Sequence, residues 1–315
     1  MKIWNTKNCK IYQLLEGRNN SFLINSQNNY ILIDTGRANS WEKLSNQIDE
    51  ILGKNKLSCL ILTHTHFDHV ENAAKIKEKY MNEENIIPQR SFRKFNISDV
   101  CKSSICNRKN QGFLHAPKRS FKGEDFFGPA GEFSIHGPKN QDFSTAFFSE
   151  KRWVGNAAKI KEKYKSLIIV HQSESEYIMQ GNSPLPKGSN LATGFMTNVL
   201  GKKLESRYQY EKVDPDILVD EKYDLIDWGF NAYIIHTSGH SKGSMSIIID
   251  NEIAIVGDAM FGVFGNSIYP PFADDPETMV KSWNKLMDTT CDLFLPGHGK
   301  EISRKLLENQ YEKYK

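Results

Sequence analysis

Short apolar runs alternate with amphipathic stretches along most of the 315-residue chain. Residues 22–25 and 30–34 are apolar runs separated by the polar Ser26-Gln27-Asn28-Asn29, a pattern that predicts a β-hairpin. Residues 41–52 place apolar side chains at helical spacing and stop before Gly53, a helix-ending signal. Residues 57–62, apolar apart from Ser58, read as a buried strand that delivers Thr63 and a histidine cluster at its C-terminal end. Residues 70–80 have one apolar face at helical period. Further strands are predicted at 167–170, 232–235, 246–249, 253–256 and 292–295, with helices at 276–287 and 302–314. Helices set between strands, with hairpins mixed in, predict a layered α/β sandwich.

One segment breaks this rhythm. Val70-Glu71-Asn72-Ala73-Ala74-Lys75-Ile76-Lys77-Glu78-Lys79-Tyr80 recurs as Val154-Gly155-Asn156-Ala157-Ala158-Lys159-Ile160-Lys161-Glu162-Lys163-Tyr164, ten of eleven residues matching at an offset of 84. Two copies are too few for a solenoid, and an insertion that duplicated its target site is the simpler reading. The intervening residues 81–153 hold ten of the eighteen Phe but only seven Ile, Leu and Val residues. Few aliphatics and no clear period predict an irregular excursion or a small subdomain. The main domain is therefore expected to comprise residues 1–80 and 154–315. A chain lacking residues 71–154 is expected to fold and to bind metal.

Composition changes this picture little. The formal charge is +3, too small to imply nucleic acid. The 81–153 segment carries 12 Lys and Arg against 8 Asp and Glu, which is expected to be a solvated surface, so nucleic acid is not expected as a partner. No apolar run reaches the roughly 20 residues of a membrane span, and the N-terminus lacks the apolar core of a secretory signal. A cytoplasmic protein acting on a small molecule is expected, with no oligomeric state specified. Five scattered cysteines do not form a disulfide framework. Cys101 and Cys106, with His115 and His136, fit no common zinc finger and are expected to be free thiols.

The chemistry lies in His64-Thr65-His66-Phe67-Asp68-His69, four metal-ligand side chains in six residues after a strand. His64 and His66 can point to one metal, and Asp68 and His69 to a second about 3.5–4 Å away, the spacing of two-metal hydrolases. Imidazole with carboxylate suits zinc, iron or manganese. Alone, the cluster fits exposed histidines equally well. Three further segments decide between the two: His236-Thr237-Ser238-Gly239-His240, Val256-Gly257-Asp258 and Pro296-Gly297-His298-Gly299 each end or follow an apolar strand. Gly239, Gly257, Gly297 and Gly299 beside the ligands are expected to let the backbone turn or approach closely.

This order of motifs, with Asp34-Thr35-Gly36 upstream, resembles the metallo-β-lactamase superfamily from about Asn20 to Gly299. The resemblance implies a four-layer αβ/βα sandwich, here with an inserted segment, and two divalent metal ions, Zn2+ before Fe or Mn. It implies that His64, His66 and His240 bind the first metal and Asp68, His69 and His298 the second, with Asp258 bridging. A metal-activated hydroxide is the implied nucleophile, and Asp68 is expected to orient that water or take its proton. His236 is expected to be structural or to stand behind the ligands, and His171 to be structural or to face the substrate rather than to ligate. Asp34 is expected to organise its loop by accepting backbone N–H groups.

Zinc β-lactamases are usually secreted, and many carry cysteine at the position of Asp258. With the aspartate present, the chain looks more like the thioesterase, lactonase and phosphodiesterase branches. A small ester, thioester or lactone is the expected substrate. The alternatives are an iron-dependent oxidoreductase on the same scaffold, a phosphodiesterase or nuclease, and an inactive scaffold altered by the insertion. Residues 181–188 and 262–275 are expected to wall the pocket, and residues 193–200 to be helical.

Overall fold

The computed structural model of the protein describes residues 1–81, 167–183, 187–189, 193–194 and 208–315. The inserted segment with its cysteines, the second copy of the repeat, and most of the expected 193–200 helix lie outside the described residues. The expected helix at 41–52 forms as α1 (Trp41–Leu52). A seven-stranded sheet runs in the order β1 (Ile3–Asn5), β2 (Lys10–Leu15), β3 (Ser21–Ser26), β4 (Asn29–Ile33), β5 (Leu57–Ile61), β6 (Ile168–His171), β7 (Ile217–Val219). The second sheet has six strands: β13 (Ile302–Ser303), β12 (Leu293–Pro296), β11 (Ile253–Gly257), β10 (Met245–Ile249), β9 (Ala232–His236) and β8 (Lys222–Asp224).

Alternation of side chains along the strands divides the core into three layers. Ile31, Ile33, Cys59 and Ile61 of the first sheet meet Ile247, Ile249, Ile253 and Ile255 of the second between the sheets. Their neighbours Leu32, Leu60 and Ile168 face outward, onto α1, α3 (Ala73–Tyr80) and α4 (Ser175–Gln180). On the other side Ile248, Ala254 and Val256 pack under Met279, Trp283 and Leu286 of α5 (Pro276–Met287) and Leu307 of α6 (Arg304–Tyr314). Both faces of β10 and β11 are covered, which is why these strands read as nearly continuous apolar runs, broken in β10 only by Ser246. The result is the expected helix–sheet–sheet–helix sandwich.

Two expected helices are divided. The 70–80 helix is α3 preceded by a single turn, α2 (Phe67–Val70). The break falls at Asn72, whose buried side-chain amide donates to the carbonyls of Thr35 at 3.0 Å and Arg37 at 2.8 Å. The 302–314 helix begins two residues late: Ile302 pairs with Phe294 as β13, and Ser303 then caps α6 by accepting from Leu306 N. No helix among the described residues is long and apolar enough to cross a membrane.

The described residues on either side of the insertion make a continuous unit. β5 and β6 pair directly in parallel, Leu60 opposite Ile168 and Ile61 opposite Ile169. Tyr80, at the end of α3, donates its hydroxyl to Asp49 at 2.8 Å. Removing residues 71–154 places Gly155 where Glu71 stands, and the hydrogen bond that the Glu71 carboxylate accepts from Ala38 N is lost at a cost of about 0.5–1.5 kcal/mol. The shortened chain is expected to melt within about 5 °C of the full chain and to bind metal equally, by thermal unfolding and metal analysis. Failure to fold would show that the insertion has become part of the core.

Candidate metal centre

The C-terminal ends of four strands converge at one edge of the sandwich. β4 delivers Asp34, β5 delivers the 64–69 motif, β11 delivers Asp258, and β12 delivers His298. His240 arrives on the loop after β9. Met245 N donates to the Thr63 carbonyl at 2.8 Å and so ties the second sheet to the strand that carries the motif. All seven candidate ligands are brought together. Their donor atoms fall into three groups able to hold an ion: His64, His66 and His240; His64, His69 and Asp258; and Asp68, His69 and His298.

Hydrogen bonds behind the cluster fix which nitrogen of His64, His69 and His240 faces it. Asp34 accepts from Thr63 N at 2.8 Å, from the Thr63 hydroxyl at 2.7 Å and from His69 Nδ1 at 2.9 Å. The Thr63 oxygen, having given its proton to Asp34, is left to accept from His64 Nδ1 at 3.1 Å. His240 Nδ1 donates to the Phe272 carbonyl at 2.9 Å. The Nε2 atoms of His64 and His240 therefore turn inward with their lone pairs free, and His69 presents its Nε2 to the same space. Asp34 does more than organise its loop: only one of its three donors is a backbone N–H.

The donor set fits a bound cation. His66 Nδ1 lies 3.0 Å from His64 Nε2 and 2.9 Å from His240 Nε2, yet it has at most one proton to offer two lone pairs. Asp258 Oδ1 is buried without a hydrogen-bond partner. Burial and neighbouring imidazoles hold His64 well below the usual histidine range, and burial lowers His66 and takes His240 down to about 4. These rings are kept neutral, the form that ligates. Asp258, although buried, is held well below the carboxylate range by His298, His69 and His240. His69 and His298 are raised despite burial, chiefly by Asp258, so the carboxylate draws positive charge to this point. At Gly297 a Cβ would stand 2.3 Å from Asp258 Oδ1 and 2.6 Å from His69 Cε1, so only glycine admits this approach.

Several supporting residues carry no motif. Glu174, 1% exposed, accepts from Thr65 N at 3.2 Å, the Thr65 hydroxyl, the Ser241 hydroxyl at 2.7 Å and Gly243 N at 2.9 Å. It clamps the His64–His66 loop to the His240 loop. Asn19 donates to the Asp68 carbonyl at 2.6 Å, and Asn20 to that of Pro296 at 2.8 Å. Burial is the signal that finds these residues, and local sequence does not report it. His236 and His171 stand apart from the cluster. Their rings stack at 4.0 Å, His236 Nε2 donates to the Lys242 carbonyl at 2.8 Å, and His171 Nδ1 accepts from Ser173 N. Residues 187–189 lie against the 262–275 loop: Ala273 N donates to the Lys187 carbonyl and Ser189 N to that of Pro271.

The model of the metallo-β-lactamase superfamily matches residues 14–92, which include Asp34 and the 64–69 motif. The metallo-β-lactamase fold-containing protein ST1585 of Sulfurisphaera tokodaii is 23% identical over 159 residues, 49% of this chain. The match spans 59% of that relative's length. Among solved structures the chain is similar to the BLEG-1 B3 metallo-β-lactamase, at 14% identity over 95% of this chain and 96% of that one, with a TM-score of 0.51. A variant of the FEZ-1 metallo-β-lactamase from Legionella gormanii is 13% identical over 96% and 89% of the two chains, with a TM-score of 0.50. At such identities the likeness is one of fold.

Proposed function

The chain belongs to the metallo-β-lactamase superfamily, and from that premise we propose that it is a hydrolase using two divalent metal ions, zinc foremost, on a small ester, thioester or lactone. Asp258 carries the reading. Its Oδ2 lies 3.5 Å from His240 Nε2 and 3.2 Å from His298 Nε2, and its Oδ1 lies 3.5 Å from His69 Nε2. One carboxylate thus joins both donor groups. His64, His66 and His240 would hold one ion, and Asp68, His69 and His298 the other, with Asp258 shared. When bound, such a pair supplies Lewis acidity that lowers the pKa of water toward about 7 and stabilises developing oxyanion charge.

The protein's own groups prepare that chemistry. The buried rings, oriented by Asp34, Thr63 and Phe272, exclude bulk water from one side. Asp68 and His298 are the outer members, with side chains 20% and 11% exposed. Asp68, its backbone held by Asn19, is placed to orient the attacking water or accept its proton. The named β-lactamases share the fold, but the substrate expected here is an acyl compound with an ester, thioester or lactone linkage.

Metal analysis of protein purified without added metal, followed by a panel of thioesters, lactones, phosphodiesters and a β-lactam, tests the reading. The expected result is about two zinc ions per chain with turnover of an ester, thioester or lactone. Iron with oxygen consumption would replace it by oxidoreductase chemistry. Turnover of phosphodiesters or the β-lactam alone would overturn the substrate class.

A further inference from the structure

Because Asp68 and His298 are the exposed members of the donor set, a substrate approaches past one or both of them. Beside Asp68 the wall is compact: Phe67 packs edge-on against Tyr208 and under the Arg37 guanidinium, each at 5.1 Å. Beside His298 the 261–264 loop runs from half-buried to exposed residues. The Phe261 ring lies against the His298 imidazole at 4.6 Å between centroids, and the Phe264 ring follows at 6.5 Å from Phe261. Val263 and Phe264 are 52% and 51% exposed, adjacent large apolar side chains of the kind that mark a binding surface when they line a concavity. They do so here, with Gly17, Gly262, Lys300 and Leu306, around a groove of about 470 Å³, within the size range of small-molecule sites.

The groove is built onto the ligand loop. Gly262 N donates to the His298 carbonyl at 2.8 Å, and Lys300 N donates back to the Gly262 carbonyl at 2.9 Å. A Cβ on Gly262 would lie 1.9 Å from Lys300 O, so backbone-to-backbone contact forms the floor and the side chains form an apolar wall. Charge offers little to recruit an anion. Glu301 on the rim is already paired with Lys2 at 2.9 Å, and Lys300 is offset by Glu16 in the same lining.

We propose that this groove takes the aliphatic acyl chain of the substrate, making the protein selective for medium-chain acyl esters or thioesters over acetyl ones. The proposal rests on the hydrolase reading above. With the acyl carbonyl at the donor cluster, the alkyl part passes His298 onto Phe261 and runs along Val263 and Phe264. Each methylene buried there is worth about fourfold in kcat/KM.

The test is a series of acetyl, butyryl, hexanoyl and octanoyl thioesters with the zinc-loaded protein, together with calorimetry of methyl octyl ketone, an alkyl chain ending in a carbonyl that is not hydrolysed. The expected result is a kcat/KM that climbs about fourfold per methylene and measurable ketone binding. Phe264→Ser is expected to cut the octanoyl-over-acetyl preference by about tenfold or more and to weaken ketone binding in parallel. Ile226→Ser, at an exposed apolar residue outside the groove, is expected to change neither. A flat chain-length profile without ketone binding overturns the groove and leaves the hydrolase reading standing. Ketone binding that depends on Phe264, with no hydrolysis, keeps the groove and overturns the hydrolase. Neither signal overturns both.

Discussion

Asp258→Ala is expected to reduce bound zinc from about two ions per chain to fewer than one and to lower hydrolysis by about 10³-fold or more. Its carboxylate lies within 3.5 Å of nitrogens from both halves of the donor set. Without it, His64, His66 and His240 still form a three-nitrogen site, while the shared anion that offsets the second cation is gone. Asp258→Asn separates charge from shape: the amide fills the same space but is neutral and a poor bridge, so a comparable loss is expected. Thermal unfolding in the presence of chelator checks that both variants still fold. A variant that keeps full metal content and turnover would remove Asp258 from the bridging role and, with it, the two-ion reading.

The parts of the centre legible in the sequence are those where ligands sit at the ends of apolar strands. Thr63 to His69, Asp258 and His298 each follow a run of buried residues, so pattern and chemistry coincide there. The supports are not legible because they are single polar residues among other polar residues. Glu174 stands in Gln172-Ser173-Glu174-Ser175-Glu176 and differs from Glu176 only in being buried. The strands that escape prediction fail for related reasons. In β2, Gln13 occupies a buried position because its amide donates to Asn20 Oδ1 at 2.9 Å, which spoils the apolar alternation. β8 is a short polar edge strand of Lys222, Tyr223 and Asp224, a composition that protects an open edge but resembles a loop. Asn72 illustrates the converse. Its neighbours have helical period, and the helix is broken by long-range bonds to Thr35 and Arg37 that no local window contains.

Glu174→Ala is the corresponding expectation for stability, a loss of about 3–5 kcal/mol and a melting temperature roughly 10 °C lower, measured in chelator. The side chain accepts from two backbone N–H groups and two hydroxyls inside the protein. The Ser241 hydroxyl retains Ser244 Oγ at 2.9 Å, but the N–H groups of the buried Thr65 and Gly243 have no other partner among the described residues. The contacts also span the two ligand loops, so their loss loosens His64 and His66 against His240. Zinc held there would join the same loops and stabilise the folded state by RT ln(1 + [L]/Kd), about 4 kcal/mol at a thousandfold excess over Kd. Saturating zinc is therefore expected to restore much of the melting temperature, with a weaker apparent affinity than the parent protein. Glu174→Gln keeps an acceptor for Ser241 and Gly243 but sets an amide N–H₂ against Thr65 N–H, so its loss should fall between those of the parent and the alanine variant. An alanine variant that melts within about 2 °C of the parent in chelator would show that the loops are held by the strands alone and that Glu174 has no part in shaping the centre.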